Sequence, residues 1–181
     1  MKTRNIDINY INKKPSCITI GNFDGIHLGH KYIIDTMVSK SEINCLTPTV
    51  LSFNPHPRKY FKKVNEEFNI ILESDKKEIL NRLGVKNFFR LKFNKKTSSL
   101  TAEEFVEKFL IKNLKLKMLI IGENFKFGKD RKGNINLLKK LSGKNNFSLK
   151  IIKSIKAKKI NIVCSSSNIR TNIEKGNLEK T

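Results

Sequence analysis

Cysteine is scarce in this sequence: Cys17, Cys45 and Cys164 are odd in number, far apart, and form no CxxC pair. That excludes a disulfide framework and a zinc site built on paired thiols, and leaves small thiols suited to a reducing compartment. No apolar run approaches the ~20 residues that a membrane-spanning helix needs. The opening segment, residues 1–14, is charged but leads into no apolar stretch, so it does not read as a secretory signal. A cytoplasmic protein without a membrane partner is the expectation. Internal repeats and low-complexity linkers are also missing from the sequence.

Arginine is nearly as sparse. It occupies only positions 4, 58, 82, 90, 131 and 170, so lysine supplies most of the 37 basic residues that outweigh 16 acidic ones. The resulting net charge of +21 raises nucleic acid as a partner. Arginine, however, is the better fork for phosphates and base edges. The lysines are spread along the whole chain and form no stripe interleaved with aromatics. Nucleic acid is therefore disfavoured, while the charge would still draw anionic nucleotides toward a cleft.

What is present suffices for one globular domain. The 181 residues are 38% apolar and include 12 phenylalanines, enough to build a core. Short apolar runs at Cys17–Ile20, Thr49–Phe53, Asn87–Leu91, Met118–Ile121 and Ser148–Ile152 read as strands, with a last short one at Ile160–Cys164. Helical spacing separates them over Tyr32–Lys40, Asp75–Leu83 and Asn134–Leu141, the last with Gly143 placed to stop it. Thr101 with Glu104 forms a capping box that opens a helix carrying Phe105, Phe109 and Leu110 on one face. The rhythm predicts an α/β fold: a Rossmann-like parallel sheet with helices on both faces.

In such sheets ligands bind beyond the carboxyl ends of the strands. Four unusual segments fall on that edge: Gly21–His30, Asn54–Tyr60, Gly122–Gly133 and Ser165–Arg170. The stretch from Phe53 to about Ile70 has no clear period, as befits a functional loop.

The first segment reads GNFDGIHLGH. Gly21 and Gly25 permit the tight backbone where a strand turns into a helix. His27 and His30, three apart, lie on one face at the helix start, and Gly29 leaves room for a ligand beside them. Helix-start N–H groups and two imidazoles make a polyphosphate site, able to stabilise charge developing on phosphorus. No third ligand lies near enough in sequence to make a metal site of the pair.

The HxGH element after a first strand resembles the nucleotidylyltransferase superfamily. The ten-residue string is similar, almost residue for residue, to the bacterial bifunctional riboflavin kinase/FAD synthetases. Three further segments agree in order. Phe53–Pro57 (FNPHP) resembles that family's flap, with Pro55, Pro57 and downstream Phe61 near the flavin and Asn54 in place of the usual acid. His56 is read as a structural hydrogen-bonder. Gly122–Gly133 (GENFKFGKDRKG) is similar to the family's flavin-site stretch, where Asn124 would meet the ring edge. Phe125 and Phe127 would offer aromatic faces there, at least one of them belonging to the core. SSSNIR matches the family's SSTxIR signature, with Asn168 where a second arginine is common.

The resemblance implies ATP and FMN as substrates, FAD and pyrophosphate as products, and Mg2+ accompanying ATP, with no protein metal ligands assigned. His27, His30, Asn22 and Arg170 would handle the reacting and leaving phosphates. Gly21, Phe23, Asp24, Gly29, Ser165, Ser166 and Ser167 would line the ATP site, Asp24 orienting the first loop. Residues 1–181 would form one FMN adenylyltransferase domain, without the kinase domain that follows in the bifunctional enzymes. Another HxGH nucleotidylyltransferase acting on a different small phosphorylated substrate is the alternative, and a non-catalytic basic relative that binds nucleotide or nucleic acid comes third. Oligomeric state lies beyond the sequence.

Overall fold

The computed structural model describes residues 1–61, 69–154 and 166–177. Six strands form one parallel sheet: β1 (Lys2–Ile6), β2 (Ser16–Ile20), β3 (Thr47–Asn54), β4 (Asn87–Lys92), β5 (Leu116–Gly122) and β6 (Ser148–Ile152). Their spatial order is β1-β4-β3-β2-β5-β6. Five of the six are the apolar runs read from the sequence, and the predicted Ile160–Cys164 strand lies outside the described residues. β1 was not foreseen. It pairs with β4 alone, at the sheet edge, and only Ile6 of its five residues is buried, so no apolar run announces it.

Alternation along the central strands sorts side chains to two faces. On one face Cys17, Val50, Phe88 and Ile120 meet Ile34 and Met37 of α1 (Leu28–Ile43) and Leu80 of α3 (Glu73–Arg82). On the other, Ile18, Leu51, Phe89 and Leu119 meet the second pair of helices. Those are α5 (Ala102–Glu104), which runs directly into π-helical turns over Phe105–Asn113, and α6 (Ile135–Asn145). Phe88 and Phe89 are consecutive, fully buried, and go to opposite cores. Each such ring contributes on the order of 2 kcal/mol by leaving water.

Local signals explain most helix ends. Thr101 and Glu104 form the reciprocal capping box, and Phe105 and Phe109 are buried as their spacing predicts. Asn134 caps α6 by accepting from the Leu137 N–H. Gly143 does not stop that helix. It lies inside it, and Asn146 ends it in a left-handed conformation (φ 50°), a role asparagine fills nearly as well as glycine. α7 (Ser166–Glu174) does end at a left-handed glycine, Gly176, whose N–H donates to Ile173 O at 3.0 Å. Two short helices were not foreseen: α2 (Pro57–Tyr60) and α4 (Lys95–Ser99), capped by His56 and Asn94.

Cys17 is buried and its thiol is pushed up to about 11 by burial, so it behaves as a small apolar side chain. Cys45 is exposed.

Candidate active site at the switch point of the sheet

Because all strands run the same way, their carboxyl ends share one edge. β2 pairs with β3 on one side and β5 on the other, and the chain crosses between those sides after β4. A crevice forms where the order reverses, and ligands bind there in doubly wound sheets. The segments Gly21–His30, 55–61 and 123–133 all open onto this edge, as expected from sequence. The SSSNIR segment reaches it too, because the Ser166 hydroxyl donates to the Asp24 carbonyl at 2.8 Å. Ser165 lies outside the described residues, and Ser167 is exposed in the first turn of α7.

The turn from β2 into α1 is compact because Phe23 (φ 48°), Gly25 (φ 82°) and Ile26 (φ 34°) are all left-handed. Only Gly25 meets the conformational need assigned to both glycines. At Gly21 space is tight, since a Cβ there would lie 3.2 Å from the Phe23 ring, which would have to shift slightly. Phe23 itself is core, 2% exposed, and supports His30 edge-on at 5.1 Å between ring centres.

Asp24 organises the loop from within. It is 4% exposed, and its Oδ1 accepts from the Ile70 and Ile71 N–H groups at 2.9 and 3.4 Å. Its Oδ2 meets Arg170 Nη2 at 2.5 Å. One carboxylate thus joins the first loop, the end of the flap segment and α7. Arg170, expected on the leaving phosphates, is here paired with Asp24. Asn22 is also a tie, its Oδ1 accepting the Phe53 N–H at 3.4 Å.

His27 caps α1, its Nδ1 accepting the His30 N–H at 3.4 Å, and the two rings stack at 3.7 Å. A neutral His27 whose Nδ1 accepts carries its proton on Nε2. Burial pushes His27 down, and takes His30 to about 3 with help from His27 and Lys76. At neutral pH both imidazoles are therefore uncharged N–H donors. Among the described residues, neither the buried His30 Nδ1 nor the buried Thr19 hydroxyl has a hydrogen-bond partner. Unpartnered buried polar atoms are rare in native proteins, and in a cavity wall they mark where a ligand's polar atoms belong. Thr19 was missed from sequence; its only signal was a hydroxyl inside a buried strand.

Two cavities meet at this edge. The smaller, about 310 Å³, is walled by His27, Gly29, His30, Thr19, Asn124 and Ser166 among others. The larger, about 790 Å³, is lined by Phe53, Pro57, Phe61, Phe93, Phe105 and Phe127, with Arg58, Lys126 and Arg131 on its rim. Phe125 belongs to both. It stacks on Phe127 at 5.4 Å, and Phe127 is the core member of the pair, 5% exposed. Asn124, grouped from sequence with the aromatic side, lines the smaller cavity instead and reaches Ser154. Pro55 follows a cis peptide bond, and Pro57 opens α2, which His56 caps by accepting the Arg58 N–H at 3.0 Å. Phe93 went unrecognised in the sequence. It stands just past β4 and meets Phe53, Tyr60 and Phe61 edge-on.

Gly128 fixes the far wall. Its φ is 72°, and a Cβ there would lie 2.7 Å from the Ala102 Cα. The loop that bears Phe125 and Phe127 can therefore lie directly on the start of α5, where the Lys129 N–H donates to Leu100 O at 2.8 Å.

No helix among the described residues is long and apolar enough to cross a membrane. In comparisons with known proteins, the FAD synthetase family model matches residues 10–167. The bifunctional riboflavin kinase/FMN adenylyltransferase of Buchnera aphidicola (subspecies Acyrthosiphon pisum) is 38% identical over 164 residues, covering 91% of this chain and 52% of that protein. The FAD synthetase of Listeria monocytogenes is 31% identical over 168 residues, covering 92% of this chain and 67% of that protein. The chain spans about half the length of the bifunctional relatives it matches. A crystal structure described as a macrolide-efflux protein from Streptococcus pneumoniae superposes with a TM-score of 0.81 at 25% identity, over 98% of this chain and 67% of that one. The fold, the HxGH crevice and these relatives agree, and the chain belongs to the FAD synthetase family.

Proposed function

We propose that this chain is an FMN adenylyltransferase, transferring AMP from ATP to FMN to give FAD and pyrophosphate. One observation carries the reading. A cavity with neutral imidazole donors abuts a cavity walled by phenylalanines, and Phe125 belongs to both. A product made of a nucleotide joined to a planar ring system has to span such a pair. The larger cavity falls within the ~300–1,000 Å³ typical of small-molecule sites.

In this reading ATP lies with its phosphates over the start of α1, and the isoalloxazine ring sits among Phe125, Phe127 and Phe61. The FMN phosphate is already an anion and attacks the α-phosphorus directly. A new P–O bond forms to FMN, the bond to the β-phosphate oxygen breaks, and its electron pair leaves with pyrophosphate. No protein nucleophile is needed, so catalysis is positioning and charge stabilisation. His27 and His30 donate N–H bonds to oxygens that gain charge, Ser166 adds a hydroxyl, and Asp24 with Arg170 holds the loop that presents them. The whole of residues 1–181 is assigned to this one activity.

Among the described residues no three His, Cys, Asp or Glu side chains converge as a metal cage. Imidazoles and hydroxyls around an anion-binding crevice fit an ion carried in on the nucleotide. Mg2+ bound to ATP would neutralise phosphate charge.

The test is turnover of FMN with ATP, read by loss of flavin fluorescence and release of pyrophosphate, with CTP as control. ATP-dependent FAD formation is expected. No turnover, or equal use of CTP, would sink the reading.

A further inference from the structure

α2 (Pro57–Tyr60) is a four-residue helix in which no side chain is buried. A helix that short does not hold in water by itself, so contacts outside it must keep it in place. Among the described residues, the two rings at its end meet one ring from the rest of the fold, Phe93. Tyr60 and Phe61 both stand edge-on to it, with ring centres 5.3 and 5.8 Å away.

Phe93 is itself pinned. Its N–H donates to Asn54 O at 2.9 Å, continuing the β3–β4 ladder one step beyond β4. On either side of it the Thr97 hydroxyl donates to Lys92 O at 2.7 Å, and Asn94 caps α4. The ring therefore rides on fixed backbone, beside the point where the chain leaves β3 for α2.

From Phe93 the ring contacts run on across the fold. Phe93 meets Phe53 at 5.7 Å, Phe53 meets Phe105 at 6.4 Å, and Phe105 meets Phe127 at 6.0 Å. Phe127 in turn carries Phe125. The row joins α2 to the loop that bears Phe125, and Phe93 is its first link. Every ring in it except Tyr60 lines the larger cavity.

We propose that Phe93 is a positioning residue for the isoalloxazine ring: it seats α2, so that Pro57 and Phe61 stand as a fixed wall of the aromatic cavity. The proposal rests on reading that cavity as the flavin site. A wall in place before binding spares the ligand the entropy of ordering it.

Three variants test it: F93A, F93L and F93Y. The readouts are hydrogen exchange of the Tyr60 and Phe61 amides, FMN affinity by flavin fluorescence, and the KM and kcat of FAD formation. Those amides donate to His56 O and Pro57 O at 3.0 Å each, so their exchange reports the opening of α2. In F93A their exchange should quicken about tenfold, as the loss of two edge-on ring contacts implies. Amides of the central strands should keep their protection. FMN affinity should weaken by a similar factor, with the KM for FMN rising and kcat nearly kept. F93Y retains the ring and should stay close to wild type throughout. F93L replaces F93A if the latter does not fold, with the same changes expected.

Unchanged exchange at Tyr60 and Phe61 in the folded variant overturns the proposal, and so does quickened exchange with unaltered FMN affinity. A residue that merely stabilised the fold would raise exchange everywhere and leave the balance of KM and kcat alone. If the wild-type chain neither binds FMN nor makes FAD, the enzymatic reading fails, and the exchange readout still decides whether Phe93 seats α2.

Discussion

Arg170 Nη2 lies 2.5 Å from Asp24 Oδ2, an ion pair between residues 146 positions apart with side chains 17% and 5% exposed. It fastens α7 to the loop that carries the HxGH pair, and the Ser166 hydroxyl adds a second fastening to the same residue. Removing one partner of such a pair takes its opposite charge away from a group that is mostly out of water. Asp24→Asn should therefore cost about 3 kcal/mol in stability and lower FAD formation at least about tenfold through displacement of the His27–His30 loop. A double-mutant cycle with Arg170→Met, read by denaturant unfolding and by turnover, checks this. Additive losses in both measurements would show that the pair is not coupled.

His30→Ala should reduce FAD formation about 100-fold, the usual loss when one donor to developing charge is removed. The fold should survive, because the ring is supported by Phe23 and His27 rather than supporting the core. Circular dichroism establishes folding and the fluorescence assay gives the rate. More than about a tenth of wild-type activity would contradict the role.

Protonation gives a stability signature. His30 is depressed to about 3 and His56 to about 4, each first by burial, against an ordinary value of 6.5. Folded-state values below the unfolded one mean that the unfolded chain binds more protons throughout that window. Stability is fully present above pH 6.5 and should fall as pH drops below it, both histidines contributing down to about 4 and His30 alone from there to about 3. His30→Gln and His56→Gln should each flatten this slope in urea unfolding series. A slope unchanged in both variants would refute the assignment.

Gly128→Ala should destabilise by more than ~1 kcal/mol, since it combines a positive φ with a clash. The clash is with backbone, 2.7 Å from Ala102 Cα, so no side chain can swing aside to relieve it. The loop bearing Phe125 and Phe127 would have to lift, and FMN affinity should fall with stability. Equilibrium dialysis of FMN and a thermal melt measure the two, and unimpaired values in both would contradict the wall's dependence on this glycine.

Phe125→Ala should raise the KM for both FMN and ATP, because its ring lines both cavities. About tenfold is expected for FMN, from the loss of an aromatic face. An effect on FMN alone would place the residue in one cavity only.

The central strands were legible because β2 to β5 are buried on both faces and read as near-continuous apolar runs. Edge strand β1 was not, since an edge strand with one buried residue carries no such signal. Caps that depend on side-chain chemistry three residues away, such as Thr101 with Glu104, were read correctly. The end of α6 was not, because Gly143 and Asn146 are both competent terminators and only packing chooses between them.

For the site, the sequence by itself determined which residue types stand at the carboxyl ends of the strands: the paired histidines, the glycines and the paired phenylalanines. Those are local matters of spacing and strand order. Only the tertiary structure decided how they divide. It placed Asn124 with the histidines, added Phe93 and Thr19 to the walls, and turned Asp24 and Arg170 toward each other. The physical reason is that cavities and ion pairs arise between segments distant in sequence, where burial and distance, not periodicity, set what each side chain meets.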